Sequence, residues 1–269
     1  NPPAQKICIH WFNTNAYFAC GQNYRTDLPN YLLINYSIGN INCWTEGPQP
    51  HIAQAMPLES WIKHHILNTA EVNSIDFASR ELVGYYYIDA LLRLLQVRIP
   101  NVEIQLIAEE VLDISMMDSF TLYSKDKALP YSYSSVLMST GHCYKNKHQE
   151  LEELAAQHTS FTYIHNAYPI QQLDAIAAGT EVAIMGIGLT FVDVALQLTE
   201  GRGGVFYYTE EGELAYRPSG TEPILFPFSR TNLPMIPRKG FVQSDSHYKP
   251  YLMTEAWVED LLKRPGQLN

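Results

Sequence analysis

The chain has 269 residues, of which 46% are hydrophobic and 17% charged, with a formal net charge of −10. This composition excludes a disordered segment and gives enough apolar material for one large core or two smaller ones. The acidic balance, with no run of Lys or Arg, argues against a nucleic-acid or anionic-membrane surface. A small-molecule partner remains, an anionic one included, because backbone N–H groups bind phosphate without a basic surface.

In chain order, "KICIHWF" from Lys6 predicts a strand, short, β-branched and aromatic. "YLLIN" (Tyr31 to Asn35) is a second apolar run. "LESWIKHHIL" and "SRELVGYYYIDALLRLLQVRI" carry helical spacing. In the second, Leu82, Tyr86, Ala90 and Leu94 recur along one face and Ser79 stands at the N-cap. Tyr85, Tyr86 and Tyr87 are expected to divide between core and surface. Three strand-like pieces follow, "VEIQLIAEEVLDISMM", "SFTLYSK" and "YSSVLMSTG". The first two are parted by Asp118 as in a hairpin, and the third reads as a buried strand. "HQELEELAAQH" predicts a short helix. A connector between Pro169 and Gly179 leads to a βαβ-like unit, from "TEVAIMGIG" to "GGVFYYT". Beyond it, Pro218 to Pro237 mark an irregular stretch. Strands alternate with helices twice, which predicts α/β architecture with parallel strands and a division near residues 165–180.

Cys8, Cys20, Cys43 and Cys143 show neither metal-ligand spacing nor a disulfide framework, as expected of free thiols in a reducing cytoplasm. No apolar stretch reaches the ~18 residues of a membrane span, and no signal-peptide pattern opens the chain. The first residues are Asn-Pro-Pro without Met, as expected of an excised piece. Ser139, His142 and Cys143 lie close in sequence, but no G-x-S-x-G elbow surrounds them, so a hydrolase is a poor reading.

The segment Glu181–Leu198 holds the most chemistry. A strand runs into Gly186-Ile187-Gly188, and a helix follows with Leu189, Val192 and Leu196 on one face. This is the context of a dinucleotide turn. The first Gly turns the chain, the second lets a pyrophosphate approach, and the helix N-terminus offers unpaired N–H groups. Phe191 replaces the third Gly of the general pattern, and Asp193 adds a negative charge nearby. On these residues alone, nucleotide binding and a purely structural corner both stand. Glu210, after the next apolar run, is either a ribose acceptor favouring NAD(H) or part of a solvated turn; Arg202 and Arg217 suit a 2′-phosphate.

"GIGLTFVDVALQLTEGRGGVF" followed by "LAYRPSGTEPILFPFSRTNLP" resembles the FAD/NAD(P)-binding proteins related to flavin-dependent N-hydroxylating monooxygenases. The motifs G-x-G-L-T-x-x-D, L-T-x-G-R-G-G, P-S-G-x-E-P and S-R-x-x-L-P occur in that family's order. "GQNYRTDLPNYLLIN" resembles its loop beneath the flavin. "VLMSTGH" resembles its exit from the flavin domain, with Ser139 for Ala. The resemblance implies an α/β protein with two Rossmann-like, three-layer lobes. Residues 1–165 would form an FAD lobe incomplete at its N-terminus, and residues 166–269 an NAD(P) lobe with a Pro-rich extension. The family's first G-x-G-x-x-G unit has no counterpart here, and Asn13 and Asn15 stand where a ribose-binding acid is expected. This implies a fragment or a degenerate relative.

By the same resemblance, Gly21, Gln22, Tyr24, Asn35, Thr140 and Gly141 would contact FAD. Gly186, Ile187, Gly188, Leu189, Thr190 and Arg202 would contact NAD(P)H, and Ser229 and Arg230 the substrate or a nicotinamide phosphate. His142 would stand near the cofactor or serve the fold. The implied activity is a cytoplasmic FAD- and NAD(P)H-dependent monooxygenase acting on a small amine or similar nucleophile, with a homo-oligomer compatible. The alternative is a catalytically inactive nucleotide-binding or interaction module.

Overall fold

A computed structural model of the chain describes residues 6–45, 52–66, 72–97, 100–125, 127–141, 148–158, 160–236 and 254–263. Apolar and β-branched residues form strand β1 (Ile7–Asn13), and helices α1 (Leu58–His65) and α2 (Arg80–Gln96) follow. Ser79 caps α2, its hydroxyl accepting the Leu82 N–H at 3.2 Å. A Ser79→Ala variant is expected to lose about 1 kcal/mol of unfolding free energy, measurable by urea denaturation. Tyr86 is fully buried on α2 and Tyr85 exposed, dividing the tyrosine run as its helical spacing predicts. Trp61 of α1 donates its indole N–H to Asp89 of α2 at 2.8 Å, joining the two helices above an apolar cluster that includes Ile34, Ile38, Leu58, Ile62 and Val83.

Strand β2 (Val102–Ala108) returns parallel to β1, in register from Ile7↔Val102 to Asn13↔Ala108. Strands β3 (Asp113–Met116), β4 (Phe120–Ser124) and β5 (Lys127–Tyr133) form an antiparallel meander, with Asp118 in the first turn. The strand expected over Tyr133–Gly141 is absent. Residues 135–141 have no regular structure, and Leu137 and Met138 face solvent. The ladder with β4 instead uses the more polar "KALPYSY", because pairing geometry outweighs apolar content there. "YLLIN" likewise makes only a single bridge, Leu33 to Ser79.

After α3 (Gln149–Gln157) come β6 (Glu181–Met185), α4 (Leu189–Leu198), β7 (Val205–Tyr208), β8 (Leu214–Arg217) and β9 (Ile224–Phe228). Helix α5 (Glu255–Leu262) closes the described part. The parallel partner of β6 is β9, not the expected β7, which pairs with β8 in an antiparallel hairpin. Strand β9 falls in the stretch read as irregular because of its prolines. Pro227 is accommodated because the pair has only two strands, so a missing N–H can face the open edge. The chain is thus mixed α/β. Two apolar clusters support it, the first around α1 and α2, the second of Leu28, Leu32, Ile170, Leu173, Val194 and Leu198 around α4. Among the described residues no helix is long and apolar enough to cross a membrane.

Candidate functional site

Strand β6 ends at Met185, and the Gly186 N–H continues the ladder by donating to the Phe228 carbonyl at 2.8 Å. Gly186 has φ +108°, a conformation open to glycine and strained for other residues. Gly188 then caps α4 with extended backbone and no side-chain partner. The first intrahelical bond runs from Val192 N–H to the Gly188 carbonyl at 3.3 Å, so the amides of Leu189, Thr190 and Phe191 precede it. A methyl group added at Gly186 or Gly188 would meet nothing within 4 Å, which leaves the space over the turn free for a ligand. These features fit a dinucleotide pyrophosphate. The Ser229–Asn232 turn stands beside them, at the carboxyl end of β9, where ligands of parallel sheets bind. Ser229 N–H donates to Asn232 Oδ1, and Asn232 N–H to Ser229 Oγ, both at 3.0 Å; Arg230 is exposed.

A cavity of about 330 Å³ lies between one face of α4, formed by Leu189, Val192, Asp193 and Leu196, and the 23–35 segment; Gly186, Ile187, Gly188 and Thr190 are not among its lining residues. Tyr24, Asn35, Arg80, Tyr168, Leu189 and Asp193 are among its lining residues. Tyr24 and Asn35, assigned to the flavin by resemblance, are among its lining residues, whereas Gly21 and Gln22 are not. Gly84 of α2 allows this placement: a Cβ there would lie 1.9 Å from the Tyr24 carbonyl oxygen. Tyr24 also meets Tyr87 edge-on, at 5.5 Å between ring centroids. Gly21 donates its N–H to the Tyr17 carbonyl at 2.9 Å, and Gln22 is exposed beside it. Thr140 and Gly141 are exposed and do not line the cavity. His142 and Cys143 lie outside the described residues.

Asp193 is only 5% exposed. Its carboxylate pairs with Arg80 Nη2 at 2.5 Å and accepts a hydrogen bond from the Tyr168 hydroxyl. The negative charge near the turn is therefore already neutralised. Desolvation works against the Arg80 charge, but the hydrogen bond to Tyr168 and the field of Asp193 outweigh it and raise its pKa. Burial, helped by Asp193, raises that of the Tyr168 phenol. Neither Arg80 nor Tyr168 stood out in the sequence. The signal for Arg80 was a local conflict: it opens α2, where the helix dipole disfavours a cation, and such a conflict calls for a partner elsewhere in the chain.

Arg202 does something different from the phosphate contact expected of it. Its Nη2 donates to the carbonyls of Leu173, Asp174 and Ile176 at 2.9, 3.3 and 2.7 Å, tying down the end of the Ile170–Ala175 turn. Helix α4, about 15 Å long, lies between it and Gly188 in the chain. Glu210 sits exposed in the β7–β8 hairpin turn, so the parallel strand end that would make it a ribose acceptor is not there.

The P-S-G-x-E-P motif builds a turn. Glu222 accepts the N–H groups of Ser219 and Gly220 at 2.6 and 2.8 Å, and the Tyr216 hydroxyl at 2.7 Å. Led by the Ser219 N–H, these donors hold its carboxyl at about 2 instead of 4.5. A depressed folded-state pKa means the stabilisation is present above 4.5 and is lost as pH falls towards 2. In urea titrations across that window, Glu222→Gln is expected to flatten the pH dependence relative to the unsubstituted protein.

An α/β protein with an open Gly-x-Gly turn at the end of a parallel strand, followed by a helix that faces a second loop across a cavity, is of the dinucleotide-binding class. Residues 1–143 match the FAD-NAD(P)-binding family, and the chain belongs to that family. It is 26% identical over 276 residues to an L-aspartate N-monooxygenase (nitrosuccinate-forming) of Streptomyces cremeus, a match covering 91% of this chain and 40% of the relative. It is 25% identical over 279 residues to nitrosuccinic acid synthase npaA of Aspergillus oryzae, covering 99% and 42%. A 33% identical match over 138 residues, to an L-aspartate N-monooxygenase (nitrosuccinate-forming) of Streptomyces davaonensis, covers 49% of this chain and 21% of that one. The chain thus spans about two fifths of the length of the first two relatives.

Proposed function

We propose that this chain contributes the cofactor-facing cavity of an FAD- and NAD(P)H-dependent monooxygenase that oxygenates the nitrogen of a small amine-bearing substrate. The observation that carries this reading is the cavity itself: the Leu189–Leu196 face of α4, which follows the open Gly186–Gly188 turn, and the Tyr24–Asn35 wall face each other across it. In this reading residues 1–165 and 166–269 are two Rossmann-like lobes, flavin-side and nicotinamide-side. The relatives named for N-oxygenation of L-aspartate support a small amino acid as the substrate class.

The amides of Leu189, Thr190 and Phe191 would bind the nicotinamide pyrophosphate, with the α4 dipole adding to the attraction. Ile187 is the middle residue of that turn. Tyr24 and Asn35 would hold the flavin from the cavity wall, with Gly21, Gln22, Thr140 and Gly141 assigned to it by resemblance alone. Ser229 and Arg230, just after the carboxyl end of β9, would meet an anionic substrate group or a nicotinamide phosphate, and a guanidinium suits either. When bound, NAD(P)H supplies the hydride and FAD carries the electrons to dioxygen. The chain's own part is to bind, orient and exclude water.

The test is the visible absorption of the purified chain before and after incubation with FAD and desalting. Retained flavin absorption, bleached by NADH or NADPH without oxygen, is expected. Retention of neither FAD nor nicotinamide would reject the reading. Nicotinamide binding without flavin would replace it with a nucleotide-binding module that has no redox activity.

A further inference from the structure

The two walls of the cavity are joined through one side chain. Arg80 donates from its backbone N–H to the Leu32 carbonyl at 2.8 Å and from Nε to the Leu33 carbonyl at 3.3 Å. Its Nη1 donates to the Tyr168 hydroxyl at 3.3 Å, and its Nη2 meets Asp193 at 2.5 Å. Arg80 therefore ties the start of α2 to three other pieces of chain: the Leu32–Leu33 segment, Tyr168, and the second turn of α4. A guanidinium can do this because its donors diverge in one rigid plane; an ammonium cannot reproduce the fork.

The apolar hold on α4 lies further along, through Val194 and Leu198 against Leu28, Leu32, Ile170 and Leu173. That contact keeps the helix docked. What remains to be set is the rotation and height of its first turn, one helical step from Asp193.

We propose that Arg80 is a positioning residue that fixes the first-turn amides of α4 relative to Tyr24 and Asn35, and so the spacing of the two cofactor sites across the cavity. The identity of the cofactors rests on the function proposed above; the mechanical coupling does not. Asp193 is the receiving end of the device, and Tyr168 braces both partners.

The experiment uses the whole chain and two variants. R80Q/D193N removes both charges together, so neither is left buried alone. R80K keeps the pair with Asp193 but loses the fork. Amide hydrogen exchange is followed without cofactor. In R80Q/D193N, exchange at the bonded amide of Val192 and at those of Leu32 and Ile34 is expected to rise together by about tenfold, with α1 unchanged and R80K intermediate. NADPH affinity, read by its fluorescence, should weaken by a similar factor, with partial rescue in R80K. Unchanged exchange in both segments would overturn the proposal. So would a rise confined to α4, or a uniform rise that includes α1, which would mark Arg80 as a general stabiliser. If the unsubstituted chain binds no nicotinamide, the proposed function falls, and the exchange pattern still decides the coupling.

Discussion

Replacing Gly84 with Ala is expected to destabilise the protein by about 2 kcal/mol, although Ala is the better helix former. The intrinsic preference favours Ala by about 1 kcal/mol in a helix interior. Against that, the added Cβ would lie 1.9 Å from the Tyr24 carbonyl oxygen, a backbone atom that no side-chain rotation can move. The loop carrying Tyr24 must then lift from α2, so the clash decides the sign. A thermal melt should show the midpoint lowered by about 5 °C. Flavin retention should fall with it, because Tyr24 lines the cavity. An Ala variant as stable as the parent would show that this loop is not seated on α2.

Asp193→Ala is expected to cost more, about 3 kcal/mol, read from denaturant midpoints. Its side chain is 7% exposed and that of Arg80 18%, so water cannot replace the lost partner. The cost is that of leaving the guanidinium with too few acceptors, not the net value of the pair, since well-shaped neutral replacements for both partners can be nearly cost-free. The Asp193→Ala variant should therefore be less stable than R80Q/D193N. The reverse order would mean that the buried pair itself, and not an abandoned charge, holds the helix.

What could be read in advance divides along sequence distance. Helices α1 to α4, strand β6 and its Gly turn are written locally, in spacing, caps and glycine, and the structure has them where the pattern puts them. Pairing is not local. "VFYY" has every mark of a buried parallel strand, yet its hydrogen bonds go to the next strand in sequence because the "EEG" turn lets the chain fold straight back. The parallel place falls to "ILFPF", whose proline argues against it until the strand is seen to lie at an edge. The cavity was half legible. Tyr24, Asn35 and Leu189 came from motifs, whereas Arg80 and Tyr168 reach it only once α2 and α4 are docked. Arg202 shows the converse: its Gly-rich "GRGG" setting suggested a phosphate, and in the structure the side chain holds three carbonyls.

The pairing of β6 with β9 also carries a consequence in time. Helix α4 and the β7–β8 hairpin lie between the two strands in sequence and can form from local contacts alone, while the parallel pair must wait for its ends to meet. The Gly186 amide, bonded to Phe228, reports that closure, and the Thr199 amide, bonded to Leu196, reports the helix. In a pulse-labelled refolding experiment, protection at Thr199 should precede protection at Gly186, and simultaneous protection would contradict this order. The ligand-facing turn would then be among the last pieces to settle, so a newly made chain would acquire its shape well before its binding competence.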